Sequence, residues 1–507
     1  MFLFLFVVSL YSPLIQADTP CESDPDSGGL LGFSVTYHIA NDAPYLLSIC
    51  PNGPTGGFTT EVLATLEAVN KSLITHIEQD AVPVPIKADI ALLVDETLGK
   101  QFDFPTLSLY VKAFRNDKGN VVMDITMPAY KNKFSANTEE ERQMTVDFQG
   151  IEMHTEMVTS DLWKRVAKQI KQDEEVTVGP DESLVIDLYN AMSFDATLPR
   201  LLIESNDDRF YLLLEKLQYE GEYDDKLSPN KLMLTLPTLQ IEGNHTLVSL
   251  QDMDFKLNAN VYSLPIKSAL DLKVANIDLT LASVIVDYQP LIKQLWLKTQ
   301  SSKPTTTLDY TVATKIDHLI LPKALIGEAL DINYTGNWTF KRIDTETLAN
   351  FQKTMIELQR KQFLGKLFSE QMVGIVVMGQ VMQSLPRLIN KSPELSLSDF
   401  NVVTKKGKLQ GQGILSIDGK KTPNLANPAT FFNSLKGNAE FEIDKTLLAY
   451  ALDAWNSNSD EELPSADEQI QQLLKDKWLV KSGNQLKLQV ELAAGKLQVN
   501  GIERSIH

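Results

Sequence analysis

From Leu107 onward the chain returns again and again to strict alternation of apolar and polar residues, and this rhythm limits its folds more than anything else in it. Leu107, Leu109 and Val111 lead into Asn116-Asp117-Lys118-Gly119, and Val121, Met123, Ile125 and Met127 lead out, a hairpin with turn chemistry at its centre. Met144, Val146 and Phe148 precede Gly150, after which Ile151 and Met153 resume the beat. Later runs are Leu232-Leu234-Leu236, Met253-Phe255-Leu257-Ala259-Val261, Leu270-Leu272-Val274, Leu308-Tyr310-Val312 and Leu330-Ile332-Tyr334 with Trp338 and Phe340. The chain closes with Leu486, Leu488, Val490 and Leu492, then Leu497 and Val499 across Ala494-Gly495. Successive side chains on a strand point to opposite faces, so period two describes sheets with one apolar face. Short turns between strands favour antiparallel meanders over a doubly wound sheet. The expected fold is α+β and β-rich: an extended, mostly antiparallel sheet, meander or groove-like, with peripheral amphipathic helices.

Helical periodicity interrupts at a few places. Phe58 to about Gln79 carries Leu63, Leu66, Leu73 and Ile77 on one stripe, and Ser160 opens a short helix with Leu162, Val166 and Ile170. The longest candidate runs from about Thr345 to Leu385 and contains MVGIVVMG (Met372–Gly379), too short to span a bilayer and read as a buried or sheet-covering segment. Asp444 starts a helix with Leu447, Leu448, Ala451 and Leu452; Ser465 and Glu468 form a capping box ahead of Ile470, Leu473 and Leu474. These last two helices have stripes suited to covering the closing hairpin, whose apolar side is expected to face core. At 507 residues the chain exceeds a single core and calls for two or more lobes or one elongated body. The expected division is 1–17, a signal peptide or degraded membrane anchor; 18–80, a segment with a disulfide and a helix; 81–345, the β-rich body; 346–390, a long helix; and 391–507, a C-terminal β/α segment ending in the hairpin.

A net charge of −19 argues against nucleic acid, whose phosphates require a basic footprint, and against docking on anionic lipid heads. The opening MFLFLFVVSLYSPLIQADTPC has the apolar run and small residue of a secretory signal without its basic start, which favours export. The two cysteines, Cys21 and Cys50, lie in one Pro/Gly-rich stretch and are expected to pair as a disulfide in an exported protein.

The search for chemistry returns no motif. None of the histidines at 38, 76, 154, 245, 318 and 507 pairs with another at ligand spacing, and nucleophile-elbow and phosphate-loop patterns are absent. PNGPTGG (Pro51–Gly57) lacks the lysine of an anion cradle, and the carboxylates of Glu139–Arg142 and Glu174–Ser183 read as solvated loops. Tyr334 and Trp338 invite a sugar platform, but packing on a sheet face is the commoner fate of such a pair. No cofactor or metal is expected.

Three stretches carry a resemblance. Ser384–Gly419 is similar to the signature of the YdgA-like family of bacterial envelope proteins, in which a short apolar helix end is followed by Pro-x-Ile/Leu-x-Ile/Leu, a polar turn with Gly and a strand. Ala439–Leu452 resembles that family's strand-to-helix element, and Leu479–Gly501 its closing hairpin with terminal Leu-x-Val-Asn-Gly. The resemblance implies a periplasmic body associated with the inner membrane, and implies no activity. Together these observations lead to an expected non-catalytic envelope protein, periplasmic, that binds a lipid or other apolar ligand or a partner along a one-sided sheet. Phe255, Leu257, Leu270 and Leu272 are the expected groove residues. A structural or assembly protein acting as a homodimer, and an unrecognised envelope hydrolase, are the alternatives.

Overall fold

The computed structural model describes residues 30–49, 60–79, 83–94, 106–135, 143–157, 192–205, 210–224, 228–243, 246–264, 271–286, 289–321, 330–363, 378–379, 383–421, 428–457 and 463–504. The signal or anchor segment, Cys21, Cys50, Leu270, the helix expected at Ser160 and most of MVGIVVMG lie outside them. The described chain is β-rich, and every strand pairing in it is antiparallel. It divides into two compact units, residues 1–247 with 355–372, and residues 248–354 with 373–507. The boundary thus falls inside the stretch expected as one β body.

In the first unit, β1 (Leu30–Ile39) pairs with β2 (Tyr45–Ile49) and β3 (Val84–Val94), and the order continues through β4 (Leu107–Arg115) and β5 (Val121–Met127). The expected hairpin forms as β4 and β5, its turn closed by Asn116, whose Oδ1 accepts from the backbone N–H of Lys118 and Asn120. β5 then runs beside β8 (Ile151–Met157), while β6 (Tyr130–Ser135) runs beside β7 (Gln143–Phe148). Gly150, between β7 and β8, has a left-handed φ of +91, and a Cβ there would lie 2.8 Å from the Met127 carbonyl oxygen. β9 (Met192–Ser205), β10 (Phe210–Tyr223) and β11 (Pro229–Gly243) complete the meander. Helix α1 (Thr60–Gln79) buries Val69 and Ile77 against Val35, Tyr37, Leu47 and Val111. It is tied to the β1–β2 turn by Asp42, which accepts from Ser72 and bonds the His76 ring at 3.1 Å; these bonds hold the Asp42 carboxyl below the usual carboxylate range.

The second unit begins with β12 (Thr246–Ser263), whose first two residues belong to the other unit. Its order is β12, β13 (Asp271–Leu281), β16 (Gln294–Ser301), β17 (Thr307–Leu321), β18 (Leu330–Asp344), β19 (Glu394–Thr404), β20 (Gly407–Ile417), β21 (Leu435–Asp444) and β23 (Gln485–Ala493). The small strands β14 (Ser283–Val286) and β15 (Gln289–Ile292) pair beside the first half of β12. β22 (Val480–Ser482) pairs with one end of β23, and β24 (Lys496–Val499) with the other, followed by β25 (Ile502–Arg504). Helix α2 (Thr345–Phe363), whose residues from Met355 on belong to the other unit, is capped by Asp344, whose Oδ2 accepts from the Thr347 N–H at 2.9 Å and its hydroxyl at 2.7 Å. Ala349 on α2 packs with Leu264, Leu272, Val274 and Leu308. Helices α3 (Pro428–Ser434), α4 (Lys445–Ser457) and α5 (Ala466–Lys475) complete the unit, and α5 starts with the expected Ser465–Glu468 capping box.

Candidate functional site

The register of the second unit's strands sorts its side chains with unusual clarity. Following directly paired residues from strand to strand, one row reads Leu281, Leu295, Ile316, Tyr334, Val402, Leu409, Ile443 and Leu486. The neighbouring row, one residue along each strand and therefore on the opposite face, reads Thr280, Trp296, Lys315, Thr335, Asn401, Gln410, Glu442 and Lys487. Eight strands thus align their apolar residues on one face and, Trp296 apart, their polar residues on the other. The polar face is laced by ion pairs such as Lys487–Glu440, and hydrogen bonding to that carboxylate raises the Lys487 pKa above its ordinary value.

Keeping the face continuous depends on a bulge. In β19 the apolar residues are Leu395, Leu397, Phe400 and Val402, so the alternation skips a beat between 397 and 400. The register shifts there, and Asp399 adopts φ +53, absorbing the extra residue so that both pairs of apolar side chains emerge on the same side. The Asn337 side chain donates to Asp399 Oδ2 at 2.7 Å and the Thr335 hydroxyl to its carbonyl at 3.2 Å, pinning the bulge to β18.

Among the described residues, helices cover only part of this face. Ile470 of α5, fully buried, packs with Leu479 and Leu486, and Ile443, Leu448, Leu452 and Leu488 pack around them. Next along the strands, Phe400 meets Tyr334 and Phe441 edge to face at 5.9 and 6.0 Å between centroids. Beyond these rings no described helix packs over the face. There Trp338, Leu397, Gly413, Ala439 and Val490 form one paired row, and Phe340, Leu395, Leu415, Gly437 and Leu492 the next. Gly413, Ala439 and Gly437 make a low floor on β20 and β21; Trp338, Leu395 and Leu397 form one wall, and Val490, Leu492 and Leu497 the other. The result is a trough of about 290 Å³ lined almost wholly by carbon. Phe340 and Leu415 at its rim are 40% and 45% exposed, well above what a core position tolerates.

The closing hairpin therefore has two fates. Leu486 and Leu488 lie under α4 and α5, as expected for core, whereas Val490, Leu492 and Leu497 line the open trough. Tyr334 and Trp338 both sit on the apolar face, Trp338 as trough wall. The expected groove residues do not converge. Leu257 pairs with Ile277 and Tyr262 with Leu272, which puts Leu257 and Leu272 on opposite sides of the β12–β13 ribbon. Leu272 is fully buried beneath α2 and lines no groove, because its side chain fills the cluster around Leu308 and Ala349. Phe255 and Leu257 are half-buried, on the same face as the trough: Phe255 pairs with Leu279, Leu279 with Leu297, Leu297 with Thr314 and Thr314 with Gly336. The trough itself was missed by sequence reasoning; its one sequence signal is the run of glycines at 411, 413 and 437 on strands otherwise regular in their alternation.

The trough presents no nucleophile, acid or base. Elsewhere, Ser72, Asp42 and His76 come together, but Asp42 stands between the hydroxyl and the imidazole, an order that anchors α1 and activates no serine. Among the described residues no three His, Cys, Asp or Glu side chains converge as a metal site. No described helix is long and apolar enough to cross a membrane, which says nothing of strands. Residues 134–507 match the family described as a bacterial protein of unknown function, DUF945. No curated protein and no solved structure matches the chain.

Proposed function

The chain belongs to the bacterial family DUF945, and we propose that it is a non-catalytic binding protein that holds a hydrocarbon chain in the trough of its second unit. The observation that carries this reading is the pair of adjacent rows, one apolar and one polar, across eight strands, with described helices over only part of the apolar one. Small pockets that take ligands are usually apolar clefts of ~300–1,000 Å³, and this trough reaches the lower end of that range. Each methylene buried contributes about 0.8 kcal/mol. Association itself costs ~4–15 kcal/mol, so a ligand has to line the trough along its length to be retained.

Within the family we read the chain as YdgA-like and place it in the envelope, facing the periplasm with an N-terminal link to the inner membrane. The apolar run Phe2–Leu10 and the isolated pair Cys21 and Cys50 support that placement. Acyl chains are the abundant hydrocarbon there, and a trough lined almost wholly by carbon suits them better than a sugar or peptide. The short strands β22 and β25 at one side of the sheet weigh against edge-to-edge assembly there.

Replacing Ala439 by Leu raises the trough floor without adding charge. Ala439→Leu should weaken binding of a fluorescent fatty acid by tenfold or more, as excluding about two methylenes (~1.6 kcal/mol) predicts. Circular dichroism should stay unchanged. Undiminished binding by a folded Ala439→Leu protein would refute the trough as the site.

A further inference from the structure

Resting on that reading of the trough, we infer that Phe441, with the Phe400 and Tyr334 rings beside it, is the trough's end wall and selects hydrocarbon chains of medium length. Phe441 lines the trough, whereas Ile443, two residues on along β21, does not and packs instead with Leu488 and Ile470. Phe441 pairs with Gly411 on β20, and a Cβ on that glycine would fall within the edge of the Phe441 ring. The ring therefore lies across β20, in space that any side chain at 411 would take. On β18, in the same way, a Cβ on Gly336 would stand 2.5 Å from the Tyr334 hydroxyl. Phe400 meets both rings edge to face, at 5.9 Å and 6.0 Å between centroids, so three aromatic rings stand side by side between the trough and the cluster under α5. The trough's own glycines are used differently. Near Gly413 the first side chain is Ala439, and near Gly437 it is Leu415, with no ring over either. Glycine at 411 seats the wall, and glycine at 413 and 437 keeps the floor low.

The wall sets a length. From the Phe441 row to the Gly437 row is four residues along β21, roughly 14 Å at the rise of a strand. An extended hydrocarbon with bonds of ~1.5 Å advances about 1.25 Å per carbon, so about ten carbons lie between the wall and the last row. The direction follows from exposure. Leu415 and Phe340, at the end away from Phe441, are 45% and 40% exposed, so a polar head leaves there and the methyl end meets the rings. Each methylene inside the trough tightens binding about fourfold, and carbons beyond the tenth stay outside and add little. Without the Phe441 ring, the next side chains on the apolar face are Leu409 and Ile443, two residues further on, so the trough lengthens by about 7 Å, or roughly five carbons.

The test is displacement of a fluorescent fatty acid from the full-length protein by saturated straight-chain fatty acids of eight to sixteen carbons, each below its micelle concentration. Affinity should climb about fourfold per carbon up to about ten carbons and then level off. Phe441→Ala should move the levelling point to about fifteen carbons, and Phe441→Leu, which keeps apolar bulk but no ring over Gly411, should move it part of the way. Circular dichroism reports whether each variant is folded. Affinity that keeps climbing to sixteen carbons in the unaltered protein would overturn the wall and leave the trough reading standing. A levelling point that stays put in a folded Phe441→Ala or Phe441→Leu protein would do the same. Unfolding of both variants would mark Phe441 as core and overturn its assignment as a wall. Failure of every acid to displace the probe would remove the trough reading itself, and the wall with it.

Discussion

Asp399 shows how much one residue can decide. Its left-handed backbone inserts an extra position into β19, and without it Phe400 and Val402 would leave the apolar face that Leu395 and Leu397 occupy. Asp tolerates this conformation because its short polar side chain bonds locally; a β-branched residue does not, since its Cβ substituents crowd the following carbonyl. Asp399→Val is therefore expected to lower unfolding free energy by about 1–3 kcal/mol in urea titrations, and Asp399→Gly by less, because glycine recovers the backbone but loses the bond from Asn337. Equal losses in both variants would shift the credit to the side-chain bond alone.

Among the elements, the α4–α5 pair determines how much of the face is core. Ser465 accepts from the Glu468 N–H while Glu468 reaches back to the Ser465 N–H at 3.0 Å, and Ile470 is completely enclosed. Loss of the cap by Ser465→Ala should cost about 1 kcal/mol. Ile470→Ala should cost about 2–5 kcal/mol, because a cavity opens between α5 and Leu486. Both are read by thermal melting. A cost for Ile470→Ala as small as that for the cap would mean that α5 barely contributes to the hydrophobic core of its unit. The capping box and the apolar stripes of α4 and α5 were legible in the sequence, as was the β4–β5 hairpin, because caps and turns are local chemistry. The partial coverage was not legible: stripe length tells that a helix packs, not how many strands it spans.

At the scale of the whole molecule, the two units own separate clusters, one around Val35 and Val111, the others around Leu272 and Ile470. Trp296, Trp338, Trp455 and Trp478 all belong to the second unit, and Trp163 alone to the first. Tryptophan fluorescence therefore follows chiefly the second unit, while far-ultraviolet circular dichroism follows both. Denaturant curves from the two probes should separate, since independent cores give independent transitions. Coincident curves would show that the units unfold as one.

The sequence by itself determined that the strands are one-sided, where two of the hairpin's strands turn, and that the chain offers no recognisable catalytic motif. Those properties live in the period of two and in residues next to each other in the chain. It grouped Leu257 with Leu272 because the two look alike in their own strands; only pairing Leu257 with Ile277 and Tyr262 with Leu272 reveals opposite sides. Tertiary structure alone decided which one-sided strands share a face, where a bulge restores the beat, and which stretch of that face the described helices pack over. Alternation is fixed by the backbone within a strand, whereas the continuity of a face is fixed by register between strands distant in sequence, and a shift of one residue reverses it.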